Sequence, residues 1–330
     1  MARFDYLIPK IRDAAFTDVP FRHIELMNFL SEEDFRALTT ALEIKLPAAA
    51  NDAEMFDNLF RHHYKIINFP GCIIDKDEYI AWHAARGEVG ARNNTACEGF
   101  GVTLRLVGPS DPMLLELIAF IESDAFNRAL ADKFGIDHAA VYYDSGIQKY
   151  LDGYEISAHP DIRKKALTFM VNINPSADSE AQEHHTHYMK FKTAYRYVQE
   201  FWKGNPRIDR CWVPWNWCET VKQQRANNSI VIFAPNDDTL HAVKARYDHL
   251  QHQRTQLYGN LWHHVSDVDG TIDWEGLVLD ASRFTHPPKE KKRLADYLPA
   301  GIKQMSKKLL HREAGATYYS RGHYRKLKNQ

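Results

Sequence analysis

The feature that most restricts the fold is a series of short apolar runs after Asp137, each closed by turn-forming residues. Residues 140–143 and 147–151 read as strands, with Asp144-Ser145-Gly146 as the turn between them. Residues 167–173 form a further strand closed by Asn174-Pro175, and 229–234 a short buried one closed by Pro235. Residues 254–262 make another. Short strands at this spacing predict a sandwich or barrel rather than a parallel α/β sheet. The chain ahead of them reads differently. Ser31 followed by Glu32, Glu33 and Asp34 is a helix start, with a capping hydroxyl and acids that oppose the helix dipole. Residues 112–134 predict one long helix that buries Leu114, Leu117, Ile121, Phe126 and Leu130 and stops at Gly135. The fold class expected is therefore mainly β with flanking helices (α+β), the N-terminal helices lying on the outside.

Charge and composition narrow the function. Lys+Arg number 42 against 43 Asp+Glu in 330 residues, and 44% of residues are hydrophobic. That balance excludes a basic nucleic-acid coat and a disordered chain. No window reaches the roughly 18 uncharged apolar residues of a membrane helix. The first residues lack the apolar centre of a signal peptide. Four cysteines, Cys72, Cys97, Cys211 and Cys218, are too few for a disulfide framework in a chain this long. The expectation is a cytoplasmic protein with reduced thiols. One domain is expected over 1–330. Its parts are a largely helical 1–137, a β core at 138–265 with a lid-like insertion at 175–228, and a C-terminal extension at 266–330. The extension ends in a basic tail, with eight Lys and Arg after Gly301 against Glu313 alone. So short and local an excess fits a solvated tail and argues against a nucleic-acid partner.

The segment from Tyr150 to Asp161 carries the chemistry. His159 and Asp161 are two apart, and on an extended chain residues i and i+2 share a face. An imidazole nitrogen and a carboxylate oxygen can then meet on one ion. His241, which follows the 230–233 run and a polar turn, is the candidate third ligand. Two histidines and one carboxylate leave coordination positions open, the donor set of non-haem Fe(II) oxygenases. Arg254 then offers a permanent charge and a planar fork suited to a carboxylate. A lone His-x-Asp arises by chance in a chain with 17 histidines; the order of these segments carries the reading. Other clusters read more plainly. His184-His185-Thr186-His187 lacks a carboxylate or cysteine at a familiar metal spacing and suits a pocket wall or lid. His249 and His252 read as a solvated turn, and Lys164 and Lys165 as edge-strand charges. Trp212, Trp215 and Trp217 wall a cavity or simply pack. Arg105 is a candidate for holding an anionic substrate, the plainer reading being a pair with a surface acid.

Tyr150-x-x-Gly153-x5-His159-x-Asp161, the run from Asn228 through His241 to Val243, and Arg254-x-x-Leu257-x-Gly259 together resemble a known family. It is the Fe(II)- and 2-oxoglutarate-dependent oxygenases, most of all the prolyl-4-hydroxylase-like branch. The resemblance spans about 140–262. It implies a double-stranded β-helix, a distorted jelly roll, with the site at its open end. His159, Asp161 and His241 would hold Fe(II). 2-Oxoglutarate would chelate the iron and place its far carboxylate on Arg254, with Tyr150 and Gln256 in the same pocket. O2 and 2-oxoglutarate would be consumed and a C–H bond hydroxylated, desaturated or closed into a ring. Some positions depart from the branch. Ile156 stands where many prolyl hydroxylases have a tyrosine, and Gln256 replaces a serine. The distal cation is an arginine, and a Gly-Gly-acidic strand is absent. These changes argue against a prolyl peptide, and Asp161 argues against a halogenase. The substrate expected is a small polar metabolite such as an amino acid derivative, since a lid suits an enclosed ligand. The alternatives are a protein or peptide side-chain hydroxylase and a non-catalytic, cupin-like metal-binding module, which has no need of Arg254.

Overall fold

A computed structural model describes residues 2–69, 71–85, 99–209 and 211–264. The first third holds helices α1 (Leu7–Asp13), α2 (Glu32–Thr40), α3 (Asp52–Arg61), α4 (Lys76–Ala84), α5 (Pro112–Ile121) and α6 (Asp124–Phe134). Interleaved with them are short strands β1 (Ile24–Leu26), β2 (Tyr64–Ile66), β3 (Gly99–Phe100) and β4 (Thr103–Leu106). Then come β5 (Val141–Tyr150), β6 (Glu155–His159), β7 (Lys165–Asn172) and β8 (Thr186–Phe191). Helix α7 (Arg196–Gly204) precedes β9 (Cys218–Gln224), β10 (Ile230–Phe233), β11 (His241–Lys244) and β12 (Arg254–His263). The strands form two antiparallel sheets, which fit a jelly roll. The larger has the order β1-β10-β7-β12-β5-β4-β2 and the smaller β3-β6-β11-β8-β9.

Alternation along the central strands sorts side chains between a core and a cavity, because successive residues of a strand point to opposite faces. On β12, Leu257 and Leu261 join one large apolar core with Leu167, Phe169 and Val171 of β7 and Ile147 of β5. Helical residues Leu7, Leu38, Phe56, Leu114 and Phe126 complete that core. The intervening residues of β12, Arg254, Gln256, Tyr258, Asn260 and Trp262, line a cavity instead. Gly259 sits where β12 crosses Phe169. A Cβ there would lie 2.3 Å from the ring, so no larger residue fits without displacing the core.

Several expectations need correction. Asp144-Ser145-Gly146 is not a turn; β5 runs straight through it. β12 pairs with β5 along its whole length, with Asn260 opposite Asp144 and Tyr258 opposite Gly146, and that pairing overrides the local turn preference. The run 112–134 is two helices, because Ser123 accepts from the Phe126 N–H and starts α6 afresh. The largely helical first third also carries short strands. β1 pairs with β10 and β4 with β5, so it widens the larger sheet. Residues 175–228 are not one excursion, since β8 and β9 are strands of the smaller sheet. Their polar residues, among them Lys222 and Gln223, hide any apolar run. Residues 175–185 and 192–217 lie outside the named strands, and α7 sits in the excursion between β8 and β9. The extension at 266–330 lies outside the described residues. Among the described residues no helix is long and apolar enough to cross a membrane.

Lys149 is wholly buried, and its Nζ donates to the Ile44 carbonyl and to Thr255 Oγ1, each at 2.8 Å. A neutral amine has two N–H groups for those two acceptors, whereas an ammonium would have only the Tyr64 ring, 5.4 Å away, for its third. Burial accordingly pushes the Lys149 pKa down from 10.5 to about 7. Between those two pH values the unfolded chain holds one more proton than the folded one. Stability therefore rises with pH across this window, by up to about 1.4 kcal/mol per pH unit. Urea unfolding at pH 7.5–10 is expected to show this extra slope in the wild type and to lose it in Lys149→Met. Parallel slopes would place the lysine in its charged form.

Candidate metal centre and cavity

Strands β6 and β11 pair with His241 directly opposite His159, and the two rings lie 4.3 Å apart. Each ring is fixed from behind. His159 Nδ1 donates to the Ser157 carbonyl at 2.8 Å, and His241 Nδ1 to the Thr239 carbonyl at 3.0 Å. That choice of tautomer leaves a lone pair on each Nε2. Asp161 follows Pro160 with a left-handed φ of 69°, a conformation costly for most residues but open to aspartate. The bend turns its carboxylate back, so that Oδ1 lies 3.7 Å from His159 Nε2 and 3.9 Å from His241 Nε2. The two side chains converge through this bend, not through the extended i, i+2 geometry expected.

All three residues are buried. Burial, with His241 adding to it, pushes His159 down to about 3, and burial likewise lowers His241. For Asp161 burial opposes the charge, but Lys165 together with the two imidazoles outweighs it and holds the carboxyl well below the usual carboxylate range. Lys165 Nζ donates to Asp161 Oδ1 at 2.8 Å. Thr168 Oγ1 donates to Oδ2 at 2.8 Å and lies 3.0 Å from Asn260 Oδ1. Two neutral imidazoles and one carboxylate thus turn three lone pairs toward one point. A divalent cation suits that donor set.

Arg254 is buried in the same cavity. Its Nη2 donates to Thr186 Oγ1 at 3.0 Å, and its guanidinium lies over the Tyr150 ring at 4.6 Å. Its Nη1 has no hydrogen-bond partner among the described residues. A buried guanidinium without a carboxylate partner is costly and fits an anion site. Tyr150 and Gln256 line the cavity beside it. Tyr150 donates to Gln148 Oε1 at 2.6 Å and Gln256 Nε2 to Asn172 Oδ1 at 2.9 Å. Ile156 and Val243 add an apolar wall, and the cavity measures about 440 Å³.

The structure thus brings together His159, Asp161, His241, Arg254, Tyr150 and Gln256. It revises three other expectations. Lys165 is not an edge charge, because β7 runs between β10 and β12. Arg105 pairs with Asp144, on the cavity wall rather than the outer surface. Of the tryptophans, Trp217 stacks on Tyr195 and Trp215 meets His187 edge-on, whereas Trp212 reaches the His159 ring. His184 is buried and lines a separate cavity of about 280 Å³, and His187 lies on β8. The sequence reading missed Thr168 and Asn260. The polar alternation of Gln256, Tyr258 and Asn260 along β12 was the signal that could have found the second.

No family model matches the chain, and no curated protein does. Among solved structures it is similar to a prolyl-4-hydroxylase from Pseudomonas putida, with 11% identity and a TM-score of 0.41 over 79% of this chain and 99% of that one. It is also similar to a 2OG-Fe(II) oxygenase family oxidoreductase from Burkholderia pseudomallei, with 12% identity and a TM-score of 0.32 over 79% and 90%. EvdO2 from Micromonospora carbonacea var. aurantiaca, complexed with 2-oxoglutarate, matches at 10% identity and a TM-score of 0.29 over 67% and 96%.

His249 is not part of a solvated turn. It is buried, accepts from the Asp152 N–H at Nδ1, and places Nε2 2.8 Å from Asp52 Oδ1. His83 of α4 bridges Asp52 at 2.7 Å and Asp152 at 3.0 Å. These groups already satisfy one another through direct hydrogen bonds. The cluster clasps α3 and α4 to the turn at Asp152-Gly153 and to the loop before β12. Asp52→Ala leaves both rings without their shared carboxylate. It is expected to lower the urea midpoint by the equivalent of about 1–3 kcal/mol with an unchanged m-value. An unchanged midpoint would mean that the clasp holds nothing together.

Proposed function

We propose that this protein is an Fe(II)- and 2-oxoglutarate-dependent oxygenase on a double-stranded β-helix with helices on its outside. In this reading it oxidises a C–H bond of a small polar metabolite such as an amino acid derivative. The convergence of His159 Nε2, His241 Nε2 and Asp161 Oδ1 carries the reading. These three residues would hold Fe(II), and Arg254 would take the far carboxylate of 2-oxoglutarate. Bound together, Fe(II) and 2-oxoglutarate supply the oxidation of an unactivated C–H bond by O2, with release of succinate and carbon dioxide.

The chain's own residues prepare the ground for that chemistry. The carbonyls of Ser157 and Thr239 keep both imidazoles in the tautomer that presents Nε2 inward. Thr168 holds the outer carboxylate oxygen, so Asp161 keeps its orientation. Arg254, set in the cavity without a carboxylate partner among the described residues, favours a second anion beside the ion, which a bare binding module does not need. A cavity of about 440 Å³ suits a small ligand. The excursion at 192–217 would serve as its lid. Four cysteines, too few for a disulfide framework in a chain this long, favour a cytoplasmic setting.

Adding Fe(II) and 2-oxoglutarate without oxygen is expected to give a weak visible charge-transfer band that His159→Ala loses. A wild-type protein without the band would overturn the assignment. Arg254→Ala is expected to raise the 2-oxoglutarate requirement roughly 10- to 100-fold with iron binding retained. Loss of iron instead would give Arg254 a structural role.

A further inference from the structure

Three strands of the larger sheet place a second polar group on the cavity wall. β4 brings Arg105, β5 Asp144 and β12 Tyr258. Arg105 stands opposite Gln148 in the strand register, so its side chain must lean along the sheet to reach Asp144. Gly146 leaves the path open: a Cβ there would lie 3.4 Å from Arg105 Cδ and Nε. The contacts it makes are long. Nη1 to Oδ1 is 3.2 Å and Nη2 to Oδ2 is 3.4 Å, against about 2.7–2.9 Å for a charge-assisted hydrogen bond. Tyr258 donates to Asp144 Oδ2 at 3.1 Å. The buried Arg105 Nε has no partner among the described residues. The two charged side chains are 28% and 39% exposed. A pair that only braced two strands would be short and saturated, and this one is neither.

We infer that Arg105 and Asp144 are the substrate subsite of this cavity and bind the carboxylate and ammonium of a free α-amino acid. In such a ligand the nitrogen and the carboxyl carbon are about 2.5 Å apart, a separation that matches adjacent opposite charges on the wall. The ligand carboxylate takes the Arg105 fork and its ammonium takes Asp144, which Tyr258 steadies. Asn260 stands directly opposite Asp144, and it contacts Thr168, which holds Asp161. The head group is thus anchored two side chains away from the candidate metal carboxylate. The ligand's own side chain is the part left to reach the triad. An internal residue of a peptide carries neither charge and gains nothing here. The side-chain oxidation rests on the oxygenase reading, whereas the binding does not.

The test uses protein loaded with Zn(II) and 2-oxoglutarate. The twenty protein L-amino acids are screened by saturation-transfer NMR, and binders are measured by calorimetry beside their N-acetyl and methyl ester forms. At least one free amino acid is expected to bind, and each cap to weaken it tenfold or more. Asp144→Asn should abolish the preference for the free amine. Arg105→Lys, which keeps charge but not the fork, and Arg105→Gln should weaken the preference for the acid in that order. Unchanged melting temperatures show that the variants fold. Capped forms binding as well as free ones, or no amino acid binding at all, would overturn the subsite. Binding with these dependences in a protein that lacks the Fe(II)/2-oxoglutarate band would keep the subsite and sink the oxygenase reading.

Discussion

Two imidazole lone pairs and a carboxylate are held face to face in a buried site. Left to themselves, these groups would turn away or take up a proton, because burying mutually repelling electron pairs is costly. Here each is prevented from doing so by something behind it. A carbonyl holds the Nδ1 of each ring, and Thr168 and Lys165 hold the carboxylate. The register that sets His241 against His159 belongs to β6 and β11. The left-handed turn at Asp161 supplies the third group. Strain of this kind persists only where the surroundings over-determine it. Here a central strand, β7, and its neighbour β12 provide that surrounding.

The larger sheet makes such a site possible by separating two environments over a few ångström. One face is apolar and merges with the helices of the first third in a single core. The other carries arginine, glutamine, tyrosine and asparagine into the cavity. Along β5 and β12 the two faces stay apart, because alternate residues of an extended strand cannot share a side. The cost shows at a few places. Lys149 lies on the core side with its pKa pushed down to about 7, and Gly259 is confined to a hydrogen by the Phe169 ring.

Much of the site was legible in the residues themselves. His159, Asp161, His241 and Arg254 were picked out by type and order, and all four line one cavity. The strands at 167–173, 229–234 and 254–262 were legible because their apolar runs are continuous or cleanly alternating. What escaped was whatever depends on partners far along the chain. β8 and β9 look polar and read as an excursion, yet backbone pairing places them in the smaller sheet. The Asp144-Ser145-Gly146 run has turn chemistry, yet β12 holds it extended. His249 looked like a surface residue and is buried because Asp52 and Asp152 come to it from other elements.

By itself, then, the amino-acid sequence determined the inventory of chemistry. It supplied two imidazoles, a carboxylate and a fixed cation, spaced along strand-forming segments in a mainly antiparallel protein. Side-chain chemistry and strand periodicity are local properties, so they survive in one dimension. Tertiary structure alone decided which lone pairs face inward and which lysine and threonine steady the carboxylate. It alone set Arg105 beside Asp144 on the cavity wall. Those outcomes depend on cross-strand register and on a backbone turn at one residue. Both are settled only when strands distant in the chain compete for the same hydrogen bonds.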